Sequence, residues 1–152
     1  MFLHHEHDPN GPYLIQQTSH SWLAWQIAEH WGNRRFARPS PRAEVLAAVL
    51  LHDSGWVDYD ALPTLDEAGR PRTFDRMEVG PHLDLWRRCV HRAAGVSRYS
   101  ALLVASHFAT LADMKTTDLL ARGDTVAARS VQVFGAEMER LRAGWEEALS
   151  TD

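Results

Sequence analysis

Apolar residues recur at spacings of three and four along most of this chain, which is the periodicity of amphipathic helices. From Thr18 or Ser19 to about Asn33 the pattern predicts a first helix, stopped by Gly32-Asn33. Ser40-Pro41 opens a second, with serine as cap and proline at the first helical position, running through EVLAAVLLHD to Gly55. A third starts at Pro81 and ends near Gly95. A fourth follows Ser97 to about Met114, and a short helix covers Asp118 to Arg122. The last begins at the cap Asp124 and reaches Leu149, with Val126, Val133, Met138, Leu141 and Trp145 on its buried side. Residues 1–16 break the pattern and read as an extended arm or short hairpin, because Asn10-Gly11 is a strong turn signal. Residues 56–80, with Pro63, Gly69, Pro71 and Gly80, form a long loop of the kind that covers a site. The expectation is an all-α single domain over residues 1–152, a bundle of about five to six helices.

Composition narrows the function classes. A hydrophobic fraction of 45% and a charged fraction of 24% are ordinary for a globular protein. A net charge of −4 leaves no basic excess to neutralise phosphates, so nucleic acid is not the expected partner. The opening MFLHHEHDPN lacks the basic start and apolar run of a signal peptide, and no apolar stretch is long enough for a membrane span. The single cysteine, Cys89, sits beside Leu85 and Trp86 at helical spacing and is expected to be a buried thiol in a reducing compartment. A cytoplasmic protein with a small-molecule substrate follows, with homo-oligomerisation left open by six tryptophans.

Nine histidines change the picture. His4, His5 and His7 belong to the arm and read as a solvated strand edge. Four others fall in apolar stripes of four different helices. His20 shares its face with Leu23, Ala24, Ile27 and Trp31; His52 with Val45, Ala48 and Val49; His82 with Leu85, Trp86 and Cys89; His107 with Ser100, Leu103, Val104 and Leu111. His91, flanked by Asp84, Arg87 and Arg88, is the solvated control, and His30 is a boundary position. A lone histidine on an apolar face is usually a hydrogen-bonded core residue. Four would require four separate sets of buried partners, whereas one shared metal site satisfies them together. Asp53, beside Leu46, Val49 and Leu50 at helical spacing, adds a carboxylate. The residues therefore predict a metal cluster of His20, His52, Asp53, His82 and His107, holding one or two divalent transition ions (Fe, Mn, Zn, Co or Ni) and no organic cofactor.

The order His … His-Asp … His … His resembles the HD-domain superfamily of metal-dependent phosphohydrolases, with steps of 32, 29 and 25 residues. HDSG at 52–55 is similar to the HDxGK segment of some phosphodiesterases, with Trp56 in place of the lysine. A closer resemblance is to a bacterial family known only as a domain of unknown function, number 3891. It is carried by LIQQTSHSWLAWQIAEHWG, LLHDSGWVDYD, GRPRTF, HLDLWRR and YSALLVASH. The superfamily resemblance implies that the five residues are ligands, with Asp53 bridging two metals. It also implies a final aspartate about thirty residues after His107, where this chain has Glu137 and Glu139 instead; Glu137 is the substitute expected, and Asp113 the alternative.

The superfamily resemblance implies hydrolysis of a small phosphoester or nucleotide-like substrate by metal-activated water, with Asp53 as the catalytic carboxylate. Arg87, Arg88 or Lys115 would steady the phosphate. Trp56, Asp60 and Tyr99 join them as substrate-contacting candidates, Trp22 and Trp25 as possible walls, and Asp58 and Asp60 as carboxylates that orient ligand imidazoles. An HD-type diiron oxygenase and a non-catalytic metal- or ligand-binding bundle are the alternative readings.

Overall fold

The computed structural model describes residues 2–4 and 13–151. Two short strands, β1 (Phe2–His4) and β2 (Tyr13–Ile15), pair antiparallel with Leu3 opposite Leu14. The expected hairpin is present in these strands; its turn, with His5 and His7, lies outside the described residues. Helices α1 (Gln17–His30), α2 (Arg42–Leu51), α3 (Val57–Ala61), α4 (Val79–Ala94), α5 (Arg98–Ala121) and α6 (Thr125–Thr151) make up most of the rest, so the protein is all-α. Among the described residues no helix is long and apolar enough to cross a membrane.

Most boundaries follow local chemistry. Ser97 caps α5, its hydroxyl accepting the Ser100 amide at 3.0 Å, and Asp124 does the same for Ala127 at the start of α6. Gly123, at φ 78°, supplies the left-handed residue that ends α5. Two expectations need correction here. The separate helix at 118–122 does not exist, because α5 is continuous to Ala121: nothing between Met114 and Asp118 breaks it, and the Thr117 hydroxyl bonds the Asp113 carbonyl within the helix. The second helix stops at Leu51 rather than Gly55, and Pro41, not Ser40, occupies its cap.

The core lies where α4, α5 and α6 meet. Trp86 stacks on Phe108 at 5.1 Å and leans on Phe134 at 5.5 Å, with Cys89, Val104, Val131 and Met138 filling the gaps. The buried face of α6 is therefore Ala128, Val131, Phe134 and Met138, not the stripe through Val126 and Val133, which are exposed. The stripe that faces inward is set by how α6 folds back closely along α5, where a Cβ on Gly135 would stand 3.4 Å from that of Ala112. The inward face of α1 also departs from its apolar stripe. It meets the body of the protein through Gln17 and Ser21, while Leu23, Ile27 and Trp31, expected to face inward with His20, are exposed.

Candidate metal centre

The end of α2 sets the first half of the site. The last carbonyls of a helix lack intrahelical partners, and Val49 supplies one of them. His52, immediately after Leu51, turns its Nδ1 onto the Val49 carbonyl at 2.7 Å. A carbonyl can only accept, so Nδ1 carries a proton, and in the neutral ring Nε2 presents the lone pair. That lone pair faces Asp53 Oδ2 at 3.3 Å. His20, one turn into α1, brings Nε2 to 3.9 Å from the same oxygen. The three residues each offer a ligand atom within 4.8 Å of the others. The His20 and His52 rings meet edge to face at 5.3 Å, and His107 of α5 meets His52 at 5.4 Å.

Asp53 is buried, and burial raises its carboxyl above the ordinary value despite the histidines beside it. Its Oδ2 accepts one weak hydrogen bond, 3.5 Å from the Gln17 side-chain amide. With His52 neutral and Asp53 ionised, the tautomer that Val49 favours leaves two acceptors facing each other. A cation at that point would satisfy both, so the donor set fits a divalent metal.

His82 is placed differently. It is buried at 3% exposure between Trp56 and Trp86, ring centroids 5.3 and 4.7 Å away, and its Nδ1 has no partner among the described residues. It lines the same cavity as the other four, but its ring nitrogens stand outside the His20–His52–Asp53 triangle. Burial, then the nearby Lys115 charge, lowers its proton affinity to about 3. The folded value is depressed, so in the metal-free protein the unfolded chain takes up this proton first. The stability it contributes is complete above about pH 6.5 and is lost as pH falls toward 3. Acid titration of urea stability should show that loss, and His82→Phe should flatten it by one proton, about 1.4 kcal/mol per pH unit. An unchanged slope would show that His82 is not buried neutral.

The HDSG turn is held from behind by α4. Gly55 donates its amide to Cys89 Sγ at 3.1 Å, and the Arg92 guanidinium bonds the Ser54 carbonyl. The Cys89 thiol, fully buried as expected, is pushed up to about 12 by that burial. From the long connection, Phe74 and Asp75 reach the cavity. The remainder of that segment folds on itself, with Tyr59 donating to the Arg72 carbonyl at 2.8 Å. Asp60 is buried and accepts the Thr18 amide at 3.3 Å, fastening the start of α1. Asp58 instead faces Arg88 and Arg92 at 3.8 and 3.9 Å on the surface.

A family model matches residues 2–152. The chain belongs to DUF3891, a family of proteins of unknown function. Neither a curated protein nor a solved structure matches this DUF3891 chain.

Several predicted contacts are corrected within the DUF3891 chain. Glu137 is no neighbour of the histidines: it grips Arg87 with Nε and Nη2 both about 3 Å from Oε2 (3.0 and 2.9 Å), clamping α6 to α4. Arg87, also bonded to Asp84 at 3.0 Å and lying over the Phe134 ring, is occupied by structure and not by an anion. Arg88 faces outward, and Tyr99 and Asp113 lie away from the cavity, as do Trp22 and Trp25, which stack on each other at 5.0 Å. Trp56 does line the cavity. Sequence reasoning missed Gln17, three residues before His20 and thus on its face, and Arg92, whose role depends on a turn no periodicity describes.

Proposed function

We propose that this protein is a metal-dependent hydrolase of HD type acting on a small phosphoester or nucleotide-like substrate. The observation that carries the reading is the approach of His52 Nε2, the ring nitrogen left free by the Nδ1 bond to Val49, to the Asp53 carboxylate. The order of histidines and the HDSG turn support the HD assignment. His20, His52 and Asp53 would hold the first ion, with His107 adjacent; His82 would complete the set only if its ring turned from Trp86. A divalent metal in such a site supplies Lewis acidity, drawing the pKa of a coordinated water toward neutrality. Asp53 holds negative charge at the point of attack, and Gln17 fixes that carboxylate from behind. Trp56, Trp86 and Phe74 give the adjoining cavity, of about 410 Å³, a largely apolar wall against which a substrate could pack.

Metal analysis of protein purified without a histidine tag tests the proposal first. We expect close to one equivalent or more of a transition metal and phosphate release from a phosphoester panel. His52→Ala should lose the metal, whereas His91→Ala, exposed on α4, should keep it. Less than about a tenth of an equivalent, with none taken up on addition, would sink the site. Metal retained with no turnover of any phosphoester would remove hydrolysis and leave a binding role.

A further inference from the structure

One face of α5 runs the length of the cavity. His107, Leu111, Met114, Lys115, Asp118 and Arg122 recur on it at helical spacing, and all line the cavity. The stripe changes character along the helix: an imidazole at the triangle of ligands, an apolar middle, then charge. Lys115 stands eight residues beyond His107, about 12 Å along the axis.

Lys115 is the only lysine of the chain; every other one of its sixteen cationic residues is arginine. Three arginines outside the cavity are committed to protein partners: Arg87 to Glu137, Arg92 to the Ser54 carbonyl, Arg42 to the Glu29 carbonyl. Lys115 is partly buried at the cavity wall, and among the described residues it makes no ion pair or hydrogen bond. Arg122 adds a second cation nearby. Asp75 and Asp118 also approach from the loop and from α5, but both are exposed and neither closes to ion-pair distance. Burial and Arg122 together weaken the lysine's hold on its proton more than the two carboxylates restore it. A partly desolvated ammonium that closes no ion pair is costly, and an anion entering the cavity would reduce that cost.

We propose that Lys115 is the recognition cation for an anionic terminus of the substrate, a carboxylate or phosphate. The apolar body of that substrate would lie against Trp86, Phe74, Leu111 and Met114, with the bond to be cleaved at His20, His52 and Asp53. The substrate class is thus an elongated amphiphilic anion spanning on the order of 10 Å, not a compact phosphate. The placement of the scissile bond rests on the hydrolase reading; the anion subsite itself does not.

Calorimetric titration of metal-free protein with hexyl phosphate, hexanoate and hexanol separates these statements. At least one of the two anions should bind, and the tighter identifies the terminus; hexanol should bind much more weakly. Lys115→Met should weaken the preferred anion about tenfold or more, and Lys115→Arg should restore most of it. Metal content should be unchanged in both variants. Equal binding of hexanol, no binding of either anion at millimolar concentration, or an unaltered Lys115→Met would overturn the subsite. Failure of the protein to take up metal would count against the hydrolase reading alone, since the anion titration needs none.

Discussion

Gly55→Ala is expected to lower the melting temperature by roughly 6–12 °C and to deplete the metal centre. A Cβ at this position would stand 2.2 Å from the Leu85 carbonyl oxygen, 2.9 Å from Cys89 Sγ and 3.0 Å from the Cys89 amide. Two of those atoms are α4 backbone, which cannot rotate aside as a flexible side chain would. The glycine is required by space, since its φ is not among the positive values of the chain. Relief requires α4 and the HDSG turn to separate, which breaks the Gly55–Cys89 hydrogen bond and loosens Trp56 and Trp86 together. Overpacking of this kind costs about 3 kcal/mol, and a domain of this length loses about 2–4 °C per kcal/mol. Thermal denaturation and metal analysis of one sample check both halves. A melting temperature within 2 °C of the parent would show that α4 retreats freely.

Asp53→Asn should produce opposite effects on binding and on stability. The carboxylate is the only negative group of the ligand triangle, so its loss should weaken metal affinity on the order of 100-fold or more, read by competition with a chelating dye. The metal-free variant should be more stable than the parent at neutral pH. Burial raises the Asp53 pKa in the folded state, so the folded protein binds this proton more tightly than the unfolded chain does. The penalty for ionising it grows as pH rises through and above the ordinary carboxylate value, and an amide of the same shape avoids it. A gain on the order of 1 kcal/mol in urea denaturation is expected. Undiminished metal affinity would remove Asp53 from the site, and a loss of apo stability would show that the Gln17 contact outweighs desolvation.

The histidines were legible in the sequence because a polar ring in an apolar stripe is a local contradiction that periodicity exposes. His20, His52, His82 and His107 do line one cavity. Periodicity said nothing about which of them approach closely enough to share an ion, because that depends on how helices cross. It placed His52 and Asp53 inside a helix, whereas their chemistry comes from lying just past its end, where a stranded carbonyl can fix a tautomer. Glu137 was sought as a ligand because of its position along the chain, and only the packing of α6 on α4 reveals its bond to Arg87. The faces of α1 and α6 were misread for a common reason. Hydrophobicity was taken as the guide to burial, but which stripe faces inward is set by how each helix docks, so Ala128 and Phe134 went inside while Val126 and Leu23 stayed outside.

Cys89 gives the molecule a built-in clock. It is the only thiol, it accepts the Gly55 amide, and at neutral pH roughly one part in 10⁵ of it is ionised while its surroundings stay closed. An alkylating reagent therefore captures it only during excursions in which the HDSG turn lifts from α4. How slowly that sulfur reacts records the fraction of time the turn stands away from α4, a local opening that a global melt does not report.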